Sequence, residues 1–300
     1  MITVRAAAKV NLHLGVGAPR ADGFHPLTTV YQAVGLCDDL TATKLDEPGW
    51  ELALTAADWV DGAGVPADED NIVYRAAVAL ADHHGREVSG RVVIDKSIPV
   101  AGGLAGGSAD AAAALVALDR LWDVHTTDDD LLRIAAELGS DVPFALLGGT
   151  ALGTGRGEIV EPLADAGTWW WVLVVSRDGL STPRVYGHFD QLRPEASATP
   201  TPAGQVIAAL ATGEPLVLAR ALHNDLQEAA IDLRPDLGEL ITRGESEGAL
   251  RGIISGSGPT CAFLCGSPDE ARAVAGSLEG PEGSRVLVVN GAVAGAHVVR

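Results

Sequence analysis

The chain has 300 residues, of which 47% are hydrophobic and 20% are charged, and its formal net charge at pH 7 is −19. This composition is typical of a globular protein with one or two domains and excludes a disordered chain. The acidic balance excludes a protein that grips nucleic-acid phosphates with a basic surface. There is no apolar run of membrane-spanning length, no signal-peptide core and an odd number of cysteines, three, so we expect a cytoplasmic protein.

The first half of the chain is predicted to contain both strands and helices. Strand-like segments lie at residues 3–14, 27–34, 51–55 and 91–96. Asn71 is suited to cap a helix whose apolar residues recur at helical spacing. Further helices are predicted for residues 108–122 and 127–138, the latter ending at Gly139.

The second half has the same mixed character. We predict strands at 169–175 and 261–265, two terminal strands, a loop at 193–202, and helices at 203–211, 215–228, 235–247 and 269–278. Cys261 and Cys265 share one strand without a nearby histidine, so a core pair is favoured over a metal site. Strands and helices mixed without strict alternation indicate two α+β domains side by side.

Residues 99–110, Pro-Val-Ala-Gly-Gly-Leu-Ala-Gly-Gly-Ser-Ala-Asp, are the most informative segment. Their glycines let backbone amides approach a ligand, and Ser108 is expected to cap the following helix, so that amides and helix dipole face one anion. A nucleotide triphosphate is the favoured anion. The segment lacks the lysine of a P-loop and the glycine spacing of a dinucleotide fingerprint. A flexible linker or packing loop is the alternative.

Two charged residues are candidates for chemistry. Asp141 follows the break at Gly139, where the proline after Val142 predicts an extended turn. It could be a general base or merely cap the next turn. Lys9, one of three lysines, lies among small and apolar residues, so it either extends from an edge strand or is buried beside a partner. Beside Asp141 it would keep that carboxylate ionised.

Two turns add candidates whose roles the sequence leaves open. Residues 20–25, Arg-Ala-Asp-Gly-Phe-His, place an aromatic ring next to an imidazole, or form an ordinary surface hairpin. Residues 255–259, Ser-Gly-Ser-Gly-Pro, form a second glycine turn that either approaches phosphates or only reverses the chain.

Taken together, these motifs resemble the galactokinase, homoserine kinase, mevalonate kinase and phosphomevalonate kinase (GHMP) family. Residues 99–109 resemble its phosphate loop, and the motifs at 9–12, 20–25, 139–143 and 255–259 occur in the family's order. The Lys-x-Asn-Leu start and the Arg-x-Asp-Gly-Phe-His turn are similar to the member that acts on a cytidine-diphosphate-linked methylerythritol.

The resemblance implies an α+β protein with the two-domain GHMP kinase fold. Residues 1–160 would form a ribosomal-protein-S5-like ATP-binding domain and residues 161–300 a ferredoxin-like domain, with the active site in the cleft between them. The implied reaction transfers the ATP γ-phosphate to the 2-hydroxyl of that substrate, with Mg²⁺, in the methylerythritol phosphate route to isoprenoids. The implied enzyme is cytoplasmic, binds neither nucleic acid nor membrane, and is a monomer or weak homodimer.

The resemblance also implies roles for individual residues. Asp141 would be the base and Lys9 its partner. Residues that bind ATP would be Pro99, Val100, Ala101, Gly102, Gly103, Leu104, Ala105, Gly106, Gly107, Ser108 and Ala109, with Asn71 and Lys96 near the adenosine. Residues that bind the alcohol substrate would be Asn11, Phe24, His25 and Tyr186, with the cytosine between Phe24 and Tyr186. No metal ligand is implied, although Ser108 is a candidate.

This sequence departs from the family loop at Ala101, Ala105 and Ala109, which replace two glycines and a serine. Ala109 lacks the hydroxyl that a serine would offer to a metal or phosphate. Two rival functions stay open: a kinase of the same fold for homoserine or mevalonate, and a nucleotide sensor without activity. The turn at 20–25 favours the cytidine-diphosphate-linked substrate over homoserine or mevalonate. The presence of both Lys9 and Asp141 favours an enzyme over a nucleotide sensor.

Overall fold

The computed structural model describes residues 1–66, 68–176 and 178–299. Within these ranges twelve strands form one sheet. The strands are β1 (Ile2–Val16), β2 (Leu27–Thr43), β3 (Trp50–Ala56), β4 (Gly90–Lys96), β5 (Thr150–Thr154), β6 (Ile159–Pro162), β7 (Trp169–Val175), β8 (His223–Asn224), β9 (Arg251–Ile254), β10 (Cys261–Cys265), β11 (Arg285–Gly291) and β12 (His297–Val298).

Ten α-helices accompany the sheet in the described residues. They are α1 (Ile72–His83), α2 (Gly106–Trp122), α3 (Asp128–Leu138), α4 (Val142–Leu147), α5 (Thr182–Leu192), α6 (Gly204–Leu210), α7 (Pro215–Ala221), α8 (Gln227–Leu233), α9 (Pro235–Ser246) and α10 (Pro268–Ser277). A 3₁₀ turn spans Gly62–Gly64. None of these helices is both long enough and apolar enough to cross a membrane.

One continuous sheet joins the two halves of the chain. Its main path runs β12-β1-β2-β11-β7-β10-β9, and β4, β5 and β8 also pair with the long β1 and β2 strands. The C-terminal β11 reaches β2 where Gly291 pairs with Val34. The mixed α+β content is confirmed, and the predicted division at residue 160 stays a prediction.

The Ala-rich helix α2 packs on β1 and β2. Most of its residues are buried, including the run of four alanines at 111–114. Alanine combines high helix propensity with a small side chain, so the helix axis can approach the sheet closely. This packing fixes the N-terminal end of α2 against the middle of β1, where the candidate Lys9 lies.

The predicted strand of three tryptophans is β7, in the centre of the second half of the sheet. Trp169 and Trp171 are fully buried. The indole of Trp171 donates to the side chain of Gln32 on β2 at 2.9 Å, which satisfies a polar group inside the core. Cys261 and Cys265 on β10 are free and buried, as the core-pair interpretation predicts, and burial raises both thiol pKa values.

Three local predictions were wrong. Helix α2 begins at Gly106 rather than Ser108, because Ala105 turns the chain in a left-handed conformation and no side chain caps the helix. Val142 begins α4 instead of an extended turn, since a proline in the first helical turn loses no needed hydrogen bond. The helix predicted for residues 215–228 is divided by β8, which pairs with β1.

Candidate active site

A cavity of about 750 Å³ lies between the glycine loop (residues 99–108), the middle of β1, the turn at 20–25 and the start of α5. Both predicted catalytic residues and all four predicted substrate-binding residues line it: Lys9, Asp141, Asn11, Phe24, His25 and Tyr186. The sequence motifs therefore converge on one cavity, although Lys9 and Tyr186 stand 177 positions apart in the chain. We call the part of the lining outside the glycine loop and residues 255–259 the acceptor side.

The glycine loop presents backbone amides to the cavity. The first α-helical bond back to the loop runs from the amide of Ala109 to the carbonyl of Ala105 at 2.9 Å. The amides of Gly106, Gly107 and Ser108 precede it, so they have no partner within the helix. All three residues line the cavity. These amides and the positive end of the helix dipole form a site for an anion.

The loop holds two alanines in a conformation that glycine adopts more readily. Ala101 and Ala105 have φ values of 52° and 59°. A left-handed alanine costs roughly 1–2 kcal/mol. The loop therefore keeps the backbone course of a glycine-rich segment at some cost in stability.

The turn at 255–259 and the residue after it are hydrogen-bonded to the glycine loop. The hydroxyl of Ser255 donates to the carbonyl of Gly103 at 3.0 Å, and the amide of Thr260 donates to the carbonyl of Gly102 at 3.3 Å. Gly256 and Ser257 also line the cavity. The two interpretations of this turn thus combine, because it reverses the chain and also borders the cavity.

Lys9 is buried in β1, with 5% of its surface exposed. Its ammonium donates to Asn11 Oδ1 at 2.7 Å and lies 3.7 Å from Asp141 Oδ2. Asn11 in turn donates to Thr29 Oγ1 at 2.8 Å. Burial lowers the pKa of Lys9, and the nearby Asp141 opposes that shift. The buried-partner interpretation of Lys9 agrees with this geometry.

Asp141 occupies the position before α4 but does not cap it. No side-chain capping bond is made there. Its Oδ1 instead accepts a hydrogen bond from the hydroxyl of Tyr31 at 2.9 Å, while Oδ2 faces Lys9. Burial and the neighbouring carboxylate raise the pKa of Tyr31 well above its usual value, so the phenol keeps its proton and donates. A carboxylate not used for capping is available for chemistry.

Aromatic and polar groups line the other end of the acceptor side. The rings of His25 and Tyr186 lie 4.9 Å apart, and His25 Nε2 is 2.9 Å from Asp190 Oδ1. Phe24 is 50% exposed, with the guanidinium of Arg156 4.9 Å from its ring centre. These rings offer flat apolar faces next to hydrogen-bonding groups, which suits a planar heterocycle.

Five residues predicted to bind ATP do not line the cavity: Asn71, Lys96, Val100, Leu104 and Ala109. Leu104 and Ala109 are fully buried. The Asn71 side chain caps α1 through the amide of Val73 and donates to the carbonyl of Pro66. The remaining eight loop residues predicted for ATP do line it: Pro99, Ala101, Gly102, Gly103, Ala105, Gly106, Gly107 and Ser108.

Lys96, predicted to lie near the adenosine, does not line the cavity. Its ammonium is buried beneath Gly106 and lies 2.7 Å from a carboxylate oxygen of Asp38 and 2.7 Å from one of Asp110. The other oxygen of Asp110 has no hydrogen-bond partner among the described residues. Burial raises the pKa of Asp110 to about 8. This buried triad supports the start of α2.

Among the lining residues that sequence reasoning missed are three with polar side chains: Tyr31, Arg156 and Asp190. Tyr31 pairs with Asn11 across the β1–β2 ladder, and a register shift lies between Asn11 and His13. Bulges of this kind reorient side chains near functional sites. The register between β1 and β2 would have revealed Tyr31, but neither strand's sequence determines that register by itself.

Comparison with known proteins agrees with this geometry. Residues 71–149 match the family described as GHMP kinases N terminal domain, and residues 206–281 match GHMP kinases C terminal. A 4-diphosphocytidyl-2-C-methyl-D-erythritol kinase from Nocardioides sp. is 65% identical over 296 residues, covering 99% of each chain.

Solved structures extend the comparison. A 4-(cytidine 5'-diphospho)-2C-methyl-D-erythritol kinase is 32% identical with a TM-score of 0.79, covering 97% of this chain and 100% of its own. Homoserine kinase from Cytophaga hutchinsonii is 21% identical with a TM-score of 0.74, covering 99% and 97%, and shows a shared fold alone. With two matched domains, a full-length relative and this two-part α+β fold, the chain belongs to the GHMP kinase family.

Proposed function

We propose that this protein is an ATP-dependent kinase that phosphorylates the 2-hydroxyl of 4-diphosphocytidyl-2-C-methyl-D-erythritol, giving the 2-phosphate and ADP in the methylerythritol phosphate route to isopentenyl diphosphate. The observation that carries the proposal is the Lys9–Asp141 pair, 3.7 Å apart, facing a loop of free amides across one cavity. The names of the full-length relative and of the 32% identical structure support this substrate.

The triphosphate of ATP would lie along the glycine loop. The amides of Gly106, Gly107 and Ser108 would donate to its oxygens at the positive end of α2. Glycines leave room for the phosphates to reach the backbone. An acidic chain can therefore hold a polyanion without lysines on the loop.

Asp141 would accept the proton of the acceptor hydroxyl. As the hydroxyl oxygen forms its bond to the γ-phosphorus, the bond from that phosphorus to the β–γ bridging oxygen breaks, and ADP leaves. Lys9 would place its positive charge beside Asp141, and Tyr31 would hold one carboxylate oxygen so that the other faces the substrate. Positioning and charge balance of this kind supply most of the catalysis in phosphoryl transfer.

Mg²⁺ would neutralise charge on the transferred phosphate when bound. Among the described residues no cluster of three carboxylate, imidazole or thiol groups is suited to a metal. Ser108, at the start of α2, lines the cavity. These residues fit a Mg²⁺ ion that nucleotide phosphates would mainly ligate, with Ser108 as the candidate protein ligand. Mg²⁺ commonly binds substrate phosphates together with one or two protein groups.

The cytosine would bind among Phe24, His25 and Tyr186. Flat ring faces and the 4.9 Å contact between His25 and Tyr186 support this end of the site. Asn11, hydrogen-bonded to Lys9, would lie near the methylerythritol. A kinase for homoserine or mevalonate would have no need of a site for a nucleobase.

The test is to incubate the purified protein with ATP, magnesium and a panel of alcohols, and to examine the product by phosphorus NMR. We expect turnover of the cytidine-diphosphate-linked alcohol with a new phosphomonoester on the 2-oxygen. Turnover of homoserine or mevalonate alone would contradict the substrate, and ATP binding without transfer to any acceptor would support the sensor.

We also propose a cytoplasmic enzyme that acts as a monomer or weak homodimer. Three free cysteines, two of them buried, support a reducing compartment. Light scattering at micromolar and higher concentrations would test the assembly.

A further inference from the structure

Arg156 is a basic residue of the cavity for which the reaction so far has no use. It lies in the turn between β5 and β6 and lines the cavity. The other basic side chains among the described lining residues are Lys9 and His25. Lys9 faces Asp141, and one ring nitrogen of His25 is 2.9 Å from Asp190.

The turn holds Arg156 in a fixed place. The amide of Leu27 donates to the carbonyl of Gly155 at 2.8 Å, and the amide of Arg156 itself donates to the carboxylate of Glu158. The guanidinium Nε lies 3.5 Å from that carboxylate, and the guanidinium packs over the ring of Phe24. Its terminal nitrogens Nη1 and Nη2 have no hydrogen-bond partner in the described parts of the chain, so they can donate to a ligand.

The turn that carries Arg156 adjoins both ends of the acceptor side. The guanidinium contacts Phe24 at the aromatic end. The carbonyl of the next residue, Gly157, is 3.5 Å from the hydroxyl of Tyr31, which donates to Asp141 at the other end. A ligand that reaches from the aromatic rings to Asp141 would therefore pass close to this turn.

In a nucleotide-linked alcohol the diphosphate joins the base end to the alcohol, so a cation adjoining both ends of the acceptor side is placed to meet it. We propose that Arg156 binds the diphosphate that joins the cytidine to the alcohol, an inference that rests on the proposed substrate. A guanidinium suits this task because its planar N–H groups match phosphate oxygens in pairs. In a chain of net charge −19, a local cation is needed to offset the repulsion of a second polyanion beside ATP.

Calorimetry with two ligands isolates the contribution of the diphosphate. Cytidine and cytidine diphosphate are titrated into the wild type and into Arg156→Gln, with Arg156→Lys as the conservative variant. We expect Arg156→Gln to weaken cytidine diphosphate binding by about 10- to 100-fold, while cytidine changes by less than about twofold. Arg156→Lys should recover part of the loss, since it restores charge without the paired geometry.

The matched control is Arg272→Gln. Arg272 is an exposed arginine on α10, paired with Asp269, and it does not line the cavity. It should bind both ligands as the wild type does, which excludes a general effect of net charge. In turnover assays, Arg156→Gln should raise KM for the nucleotide-linked alcohol and leave kcat and KM for ATP nearly unchanged.

Two results would overturn the inference. Equal losses for cytidine and cytidine diphosphate, or no loss for either, would show that Arg156 does not bind the diphosphate, while the proposed function would stand. If the wild type bound neither ligand, the proposed substrate itself would fail and the inference with it.

Discussion

The two sides of the cavity differ in the kind of chemical group that they offer to a ligand. The glycine loop offers mainly backbone amides and small residues, whereas the acceptor side offers the side chains of Lys9, Tyr31, Asp141 and Arg156. A backbone site is specific for charge and shape but indifferent to most side chains. A side-chain site can be altered one functional group at a time. Substitutions should therefore affect the two sides differently. We expect the glycine loop to respond to substitutions that change shape, and the acceptor side to respond to substitutions that change a functional group.

The largest effect is expected for Asp141→Asn on the acceptor side. The amide cannot accept the hydroxyl proton but has nearly the same shape, so kcat should fall by about 10²- to 10⁴-fold. ATP affinity should stay within about twofold, because the loop amides are untouched. Steady-state kinetics and calorimetry with ATP measure the two quantities. A wild-type rate in this variant would remove Asp141 from the role of base.

Gly103→Ala tests the loop by shape alone. An added Cβ would come within 2.2 Å of the carbonyl oxygen of Ser255, and the residue has a φ of +78°. We expect KM for ATP to rise at least about tenfold and the free energy of unfolding to fall by about 2–4 kcal/mol.

Gly276→Ala on α10 is the matched control for this change. Apart from its chain neighbours and the backbone of α10 itself, no atom of the described residues lies within 4 Å of its added Cβ. The substitution should therefore be neutral or slightly stabilising, as measured by urea unfolding. An unaltered KM for ATP in Gly103→Ala would mean that the loop geometry does not decide nucleotide binding.

A smaller effect is expected for Tyr31→Phe. The ring, stacked on Phe144 at 4.8 Å, is kept, and the hydrogen bond to Asp141 is lost. Because the hydroxyl donates to Asp141 and the loop amides are untouched, kcat should fall by about 3- to 20-fold at nearly constant KM for ATP. A rise in KM for ATP with unchanged kcat would contradict this role.

The smallest effect on activity is expected for Asp110→Asn, which acts on stability. The pKa of Asp110 is about 8 in the folded protein, above the ordinary value of 3.8. Its contribution to stability is thus complete below pH 3.8 and is lost as the pH rises through about 8. The wild type should lose roughly 1–3 kcal/mol more than the variant between pH 5 and pH 9, by urea unfolding at each pH. Parallel pH profiles would exclude this explanation.

The sequence predicted those features that depend on a contiguous segment. The glycine loop, Lys9 and Asp141 stand in short motifs whose composition is informative by itself. Contacts between distant segments left no sign in the sequence. Lys96 is held by Asp38, 58 positions earlier in the chain, and Tyr31 reaches Asp141 across 110 positions. The start of α2 was predicted wrongly because the sequence does not indicate that the backbone of Ala105 adopts a left-handed conformation. The roles of individual residues stay predictions until the variants are measured.

The scarcity of lysine has a practical consequence. Of the three lysines, Lys9 and Lys96 are buried and Lys44, just after β2, is exposed. Acylating reagents therefore meet Lys44 as the accessible lysine of the folded enzyme, and Lys44 is not part of the cavity lining. A dye, tether or immobilising surface attached there would leave the buried ammonium of Lys9 unmodified.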